Sequence, residues 1–163
     1  MKKCVAMAEV RWGEVGPGRL ALAHRPRLKD IAKLAALGCQ RVVTVQAGSE
    51  AALQIGRVVQ EAGMAWTWVP VGSGAFPEGE VDRLLRRGLA ALADVVEAGE
   101  SVLVHCSAGI HRAGMLAFAL LRRRGLTEAG ALEVIESLRP ETRRGLRQQH
   151  LDWGNQVASE VSG

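Results

Sequence analysis

Two apolar runs stand close together in the chain, Ser101 to Val104 and Arg112 to Leu121. SVLV, Ser101 to Val104, is an unbroken apolar run of strand length. A strand that is apolar at successive positions, rather than at every second one, belongs inside a sheet covered on both faces. From Arg112 to Leu121 the residues are apolar nearly all round a helical wheel, so a central buried helix is expected there. Between strand and helix lies only His-Cys followed by a loop of mostly small residues. A chain with such a strand–loop–helix unit is expected to build a mostly parallel central sheet flanked by helices, an α/β architecture.

The remaining sequence supplies parts of the same kind. RLALA (Arg19 to Ala23), RVVTVQ (Arg41 to Gln46) and WTWVPV (Trp66 to Val71) read as strands. LKDIAKLAALG reads as a helix ending at Gly38. Ser49 and Glu50 read as the start of a second helix, which Gly63 closes. A loop from Gly72 to about Gly79 precedes a long amphipathic helix with Val81, Leu84, Leu85, Leu89, Leu92, Val95 and Val96 on one face. Thr127 caps a further helix through Leu138, Pro140 breaks it, and a polar C-terminal helix follows. In parallel sheets ligands bind beyond the carboxyl ends of the strands, and the stretch Cys106 to His111 stands at such an end.

With 163 residues and no linker or repeat, one domain over 1–163 is expected. The formal charge of +4 suits anionic substrates but falls short of a nucleic-acid binder, so no specific nucleic-acid partner is expected. Three cysteines, Cys4, Cys39 and Cys106, lack the paired spacing of a disulfide framework or a zinc site. The apolar run after Lys3 stops at Glu9, too short for a signal peptide, and no later run approaches a membrane span. A cytoplasmic protein with no membrane partner is the expectation.

The stretch HCSAGIHR has a specific chemical capacity. Amides at a helix start lack intrahelical partners, and the helix dipole adds partial positive charge there. A loop of small residues lets several amides converge on one anion. Ser107, Ala108 and Gly109 keep such a loop open, and Gly109 permits a positive φ. Arg112 at the helix start brings a planar fork able to hold two phosphate oxygens. Cys106 then lies at the base of an electropositive cradle that favours its thiolate, a nucleophile facing bound phosphate.

Cysteine, five residues and arginine, preceded by His105 and an apolar strand, resemble the signature loop of the cysteine-dependent protein tyrosine phosphatases. The spacing and small size resemble the dual-specificity branch. GRLALAHRPRLKDIAKLAALGCQRVVTVQ looks like that family's opening strand, helix and second strand. WVPV resembles the strand before its general-acid loop, and LRPETRRGLRQQHLDW resembles its closing helices, so the likeness covers about Arg19 to Trp153. The resemblance implies a phosphatase-like fold and a phosphomonoester hydrolase. Cys106 would attack phosphorus. Ser107, Ala108, Gly109, Ile110, His111 and Arg112 would bind the phosphate, with Arg112 also stabilising the transition state, and His105 would support the loop. It implies no metal and no cofactor. The expected partner is a phosphorylated protein or a small aryl phosphate.

Two departures bear on rate. The family carries Ser or Thr after the arginine, whose hydroxyl bonds the cysteine sulfur. Here Ala113 stands there, which predicts a slowed second step unless Ser107 or a water substitutes. The family also places an Asp after the strand that WVPV resembles. Val71, Gly72 and Ser73 occupy that region, and the nearest acids are Glu78, Glu80 and Asp82. Glu78, still in the loop, is the candidate general acid, while Glu80 and Asp82 suit a helix dipole equally well. Without an acid, aryl phosphates should be preferred, because a phenolate leaves unaided more readily than an alkoxide.

Other residues have plainer readings. His111 packs at the rim or adds charge there. The arginines at 122–124, 139, 143, 144 and 147 form a solvated face or steer anions. Trp12, Trp66 and Trp68 belong to core or rim, and Gln148 or Gln149 falls near the site. The rival functions are a phosphate-binding pseudophosphatase and a sulfurtransferase, and the spacing of Arg112 from Cys106 argues against the second.

Overall fold

The structure is a computed structural model that describes residues 10–161. Cys4 and the apolar run that ends at Glu9 lie outside them. Five strands form one sheet: β1 (Gly13–Val15), β2 (Gly18–Ala23), β3 (Arg41–Val45), β4 (Ala65–Val69) and β5 (Ser101–His105), in the spatial order β1-β2-β5-β3-β4. All neighbours run parallel except β1 and β2, which form an antiparallel hairpin at one edge. β1 is not among the strands expected from the sequence. It is three residues long and buries only the Val15 side chain, too little for a period to register.

Seven α-helices cover the sheet among the described residues: α1 (Ile31–Ala36), α2 (Ala52–Glu61), α3 (Gly79–Glu97), α4 (His111–Arg123), α5 (Glu128–Leu138), α6 (Pro140–Gly145) and α7 (Gln148–Val161). Successive side chains of a strand point to opposite faces, so each inner strand feeds two cores. Ala21, Ala23, Val42 and Leu103 pack with Ile31, Leu34, Ile55 and Val59 beneath α1 and α2. Leu20, Leu22, Val43, Val45, Val102 and Val104 pack with α3, α4, α5 and α7 on the other face. This is why β5 is buried at every position, as SVLV foretold.

Helix α4 is buried continuously from Arg112 to Leu121, again as its composition requires. On α3, Leu85, Leu89, Leu92 and Val96 are fully buried, and Val81, Leu84 and Val95 pack partly against the same core. Leu28–Asp30 form a 3-10 turn rather than the first turn of α1, and Gly38, at φ +91°, follows the helix end as expected. Thr127 accepts the Gly130 N–H at 3.0 Å and caps α5. No helix among the described residues is long and apolar enough to cross a membrane.

Register fixes where a site can stand. Ala23 and Thr44 both lie level with His105, and Val45 with Val69. The four parallel strands therefore end along one line. The segments following β2, β3, β4 and β5 meet at that edge.

Candidate active site

Cys106 is the first residue beyond β5 and is 2% exposed. The chain from Cys106 to Ile110 bends back into α4, and three of its carbonyls are taken up by donors outside the bend. The Cys106 carbonyl accepts from His105 Nδ1 at 3.0 Å, and the Ser107 carbonyl accepts from the Arg25 N–H at 2.9 Å. The Gly109 carbonyl accepts from Thr142 Oγ1 at 2.5 Å and Arg139 Nη1 at 3.0 Å. Gly109 has φ +70°, and a Cβ there would stand 2.3 Å from the Ala23 carbonyl oxygen, so only glycine fits.

Arg112 is the second residue of α4, and its side chain is 9% exposed. Nη1 and Nη2 donate to the two carboxylate oxygens of Glu50 at 2.8 and 3.0 Å, a fork-on-fork ion pair. Nη1 also donates to the Val71 carbonyl at 2.9 Å, and Nη2 to Ser107 Oγ at 3.1 Å. Those four bonds use every hydrogen of the two terminal nitrogens and leave Nε–H disengaged among the described residues.

Glu50 was expected only to begin a helix. It ends a 3-10 turn, Gly48–Glu50, directly after β3, and its carboxylate also accepts from the Ala47 N–H at 2.7 Å and the Ser107 hydroxyl at 2.9 Å. Burial works against the charged form, but these donors and Arg112 outweigh it and hold the Glu50 carboxyl down at about 2. An ionised Glu50 thus sets the plane of the Arg112 fork. The signal available in the sequence was its place at the carboxyl end of a parallel strand, where a buried arginine needs a counter-ion.

His105 is fully buried. A carbonyl only accepts, so His105 Nδ1 carries the proton given to Cys106 O. Nε2 then accepts from Thr44 Oγ1 at 2.8 Å, and Thr44 in turn accepts from Trp66 Nε1 at 2.8 Å. Burial, helped by the charges of Arg25 and Arg112, pushes the His105 pKa down to about 4. The imidazole is therefore neutral at neutral pH and acts on the loop through its hydrogen bonds, not through charge.

The Ser107 hydroxyl donates its one hydrogen to Glu50, and its oxygen accepts from Gln46 Nε2 at 3.0 Å and from Arg112. It has no hydrogen left for the Cys106 sulfur, so Ser107 does not replace the hydroxyl absent at Ala113, which is itself fully buried. His111 is exposed. Its Nε2 donates to the Gly145 carbonyl at 3.0 Å, and its ring stacks on His150 with centroids 4.6 Å apart. Burial first, then the charges of His111 and Arg147, lower the His150 pKa to about 4.

The loop after β4 starts at Pro70; Arg112 holds the Val71 carbonyl, and the loop runs exposed from Ser73 to Phe76. Glu78 is exposed at the N-cap of α3 and shares no hydrogen bond with the Cys106–Arg112 stretch among the described residues. Asp82 is committed to Trp153 Nε1 at 2.9 Å and Arg86 Nε at 2.8 Å, and Glu80 to Arg83 at 2.6 Å. Gln148 is exposed and donates to Asp152 along its own helix. Arg122 and Arg124 bond Asn155 and Glu97, which ties that basic run into the helix packing. Among the described residues no three His, Cys, Asp or Glu side chains cluster as metal ligands would.

The model of one family, the Swiss Army Knife protein DSP-PTPase phosphatase domain (PTP-SAK), matches residues 8–152. The chain belongs to that family. It is a dual-specificity-type phosphatase domain, of the cysteine-dependent hydrolases. Its fold is similar to that of Tk-PTP in the active form, with a TM-score of 0.71 and 22% identity over 88% of this chain and 94% of the other. PTPMT1 in complex with PI(5)P is likewise similar, with a TM-score of 0.74 and 18% identity over 93% and 96%. So is human DUSP28, at 0.67 and 23% over 93% and 98%. At these identities the likeness is one of fold. None of the curated proteins matches the sequence.

Proposed function

We propose that this phosphatase domain hydrolyses phosphomonoesters through a cysteinyl-phosphate intermediate on Cys106, with aryl phosphates preferred. The observation that carries the reading is the Arg112 fork, fixed in plane by ionised Glu50 beside a loop whose Cys106 and Gly109 carbonyls are held by His105 and Thr142. Amides of Ser107, Ala108, Gly109, Ile110, His111 and Arg112 then face one anion. The Arg112 Nε–H is ready for a phosphate oxygen, and Nη2–H trades Ser107 for another.

In the first step Cys106 Sγ forms a bond to phosphorus while the bond from phosphorus to the leaving oxygen breaks. The leaving oxygen takes a proton from Glu78 if the loop after β4 brings that carboxyl over the cradle, and otherwise leaves as the anion. In the second step water forms a P–O bond, the S–P bond breaks, and the water's proton passes to the group vacated in the first step or to solvent. Cys106 returns as thiolate, and inorganic phosphate departs. His105 holds the Cys106 carbonyl throughout.

The substrate class is a phosphorylated protein side chain or a small aryl phosphate, handled in a reducing cytoplasm. PTPMT1 is seen with a phosphoinositide. This chain has no Lys or Arg between Cys106 and Arg112 to meet several phosphates, which favours a singly phosphorylated substrate. The second reading, a phosphate-binding pseudophosphatase, draws on Ala113 and on a loop with Gly72 and Ser73 in the region where the family has Asp. Hydrolysis of p-nitrophenyl phosphate by the wild type and by Cys106→Ser separates the two. The expected result is turnover that falls about a thousandfold in the variant. Vanadate binding without turnover would leave the binding reading in its place, and neither binding nor turnover would overturn both.

A further inference from the structure

Gly109 is the weak point of the loop. It has φ +70° and no side chain, so little in the residue itself decides which way the following peptide faces. In a trans peptide the C=O and N–H point opposite ways. One orientation offers the Ile110 N–H to an anion above Cys106, and the other offers the Gly109 carbonyl, which repels it. Something outside the loop has to choose.

We infer that Arg139 and Thr142 are positioning residues for the phosphate loop, which clamp the Gly109 carbonyl from behind so that the Ile110 N–H faces the anion. The inference rests on the phosphatase reading of that loop. The clamp is a closed triangle. Thr142 Oγ1 donates to the Gly109 carbonyl at 2.5 Å, Arg139 Nη1 donates to the same carbonyl at 3.0 Å, and Arg139 Nη1 also donates to Thr142 Oγ1 at 3.1 Å. Both hydrogens of Nη1 and the one hydroxyl hydrogen of Thr142 are thereby used.

The surroundings hold both donors still. Thr142 is fully buried, where an unpaired hydroxyl would be costly, and valine has the same shape without the hydroxyl. Helix α6 lies so close to α4 that a Cβ at Gly114 would be 2.9 Å from Thr142 Cγ2. Arg139 is extended at the joint between α5 and α6. Its N–H donates to the Ile135 carbonyl at 2.8 Å, and Pro140 follows at the first helical position. Burial pulls its guanidinium below the ordinary arginine range, and the charges of Glu141 and Cys106 act the other way.

The test uses the full chain and two paired series, Thr142→Val against Thr142→Ser and Arg139→Met against Arg139→Lys. Three quantities are read: orthovanadate affinity, the iodoacetamide alkylation rate of Cys106 at fixed pH, and thermal midpoint. Thr142→Val is expected to weaken vanadate binding and to slow alkylation, each about tenfold, with Thr142→Ser restoring both. Arg139→Met should do the same, with Arg139→Lys giving partial recovery. A merely structural threonine lowers the thermal midpoint and leaves affinity and alkylation alone, and that result overturns the clamp. If Thr142→Val does not fold, the arginine pair decides on the same readouts. A wild type that neither binds vanadate nor hydrolyses p-nitrophenyl phosphate overturns the phosphatase reading, while the alkylation ratios still decide for or against the clamp.

Discussion

Glu50 and Arg112 are 62 positions apart, and that separation explains what a reader of the sequence sees and misses. Cys106 and Arg112 are legible because one turn of chain carries both, and the spacing itself is the chemistry. Glu50 is not, because an acid near a helix start is already explained by the dipole, and nothing local shows that its carboxylate is used across the sheet edge. Ala113 reads as a loss from the sequence alone, and the structure sharpens it by assigning the Ser107 hydrogen to Glu50. Restoring a hydroxyl next to the sulfur gives the departing thiolate a donor. Ala113→Ser is therefore expected to raise steady-state turnover of p-nitrophenyl phosphate about tenfold and to shrink the pre-steady-state burst. Unchanged turnover with an unchanged burst would show that release of the thiolate was never slow.

At the scale of elements, the long, continuously apolar parts were readable and the short ones were not. β5 and α4 declare themselves because burial on all sides leaves no polar position to confuse the pattern. β1 escapes notice at three residues, and the first turn of α1 tightens to 3-10 where Asp30 bonds both Arg27 and Lys33 instead of capping. The loop from Gly72 into α3 matters most for chemistry. Its three acids sort by partner: Asp82 and Glu80 are engaged by their own neighbours, which leaves Glu78 as the carboxyl able to change position. A loop that delivers Glu78 to the leaving oxygen gives the pH profile of kcat a basic limb. Glu78→Gln should then remove that limb and slow an alkyl phosphate about a hundredfold, with p-nitrophenyl phosphate affected far less. Equal, small effects on both substrates would mean that no carboxyl protonates the leaving group, and the preference for aryl esters should then be extreme.

Over the whole molecule, the groups that shape the site also set its tolerance of acid. His105 and His150 fold with pKa values of about 4, against an ordinary 6.5. Between those values the unfolded chain binds protons that the folded chain refuses, so stability is constant above 6.5 and declines as pH falls toward 4. For the fully buried His105 alone the loss approaches about 3 kcal/mol, a sizeable share of the ~5–15 kcal/mol typical of a domain. Glu50 behaves in the opposite sense. Its folded pKa of about 2 lies below the ordinary 4.5, so its contribution is complete above 4.5 and fades as pH falls through that value to 2. Two windows therefore adjoin, the histidines in the upper and the ion pair in the lower. Urea unfolding across both should give a free energy that begins to fall near 6.5 and continues below 4.5. His105→Asn keeps a donor for the Cys106 carbonyl without a titrating ring, and His150→Asn keeps an acceptor for the Arg147 N–H. The first variant should flatten part of the upper limb and the double variant nearly all of it, while Glu50→Gln flattens only the lower. An upper limb that persists in the double variant would mean that acid enters this fold elsewhere, and that the neutral imidazole beneath the loop does not set its stability.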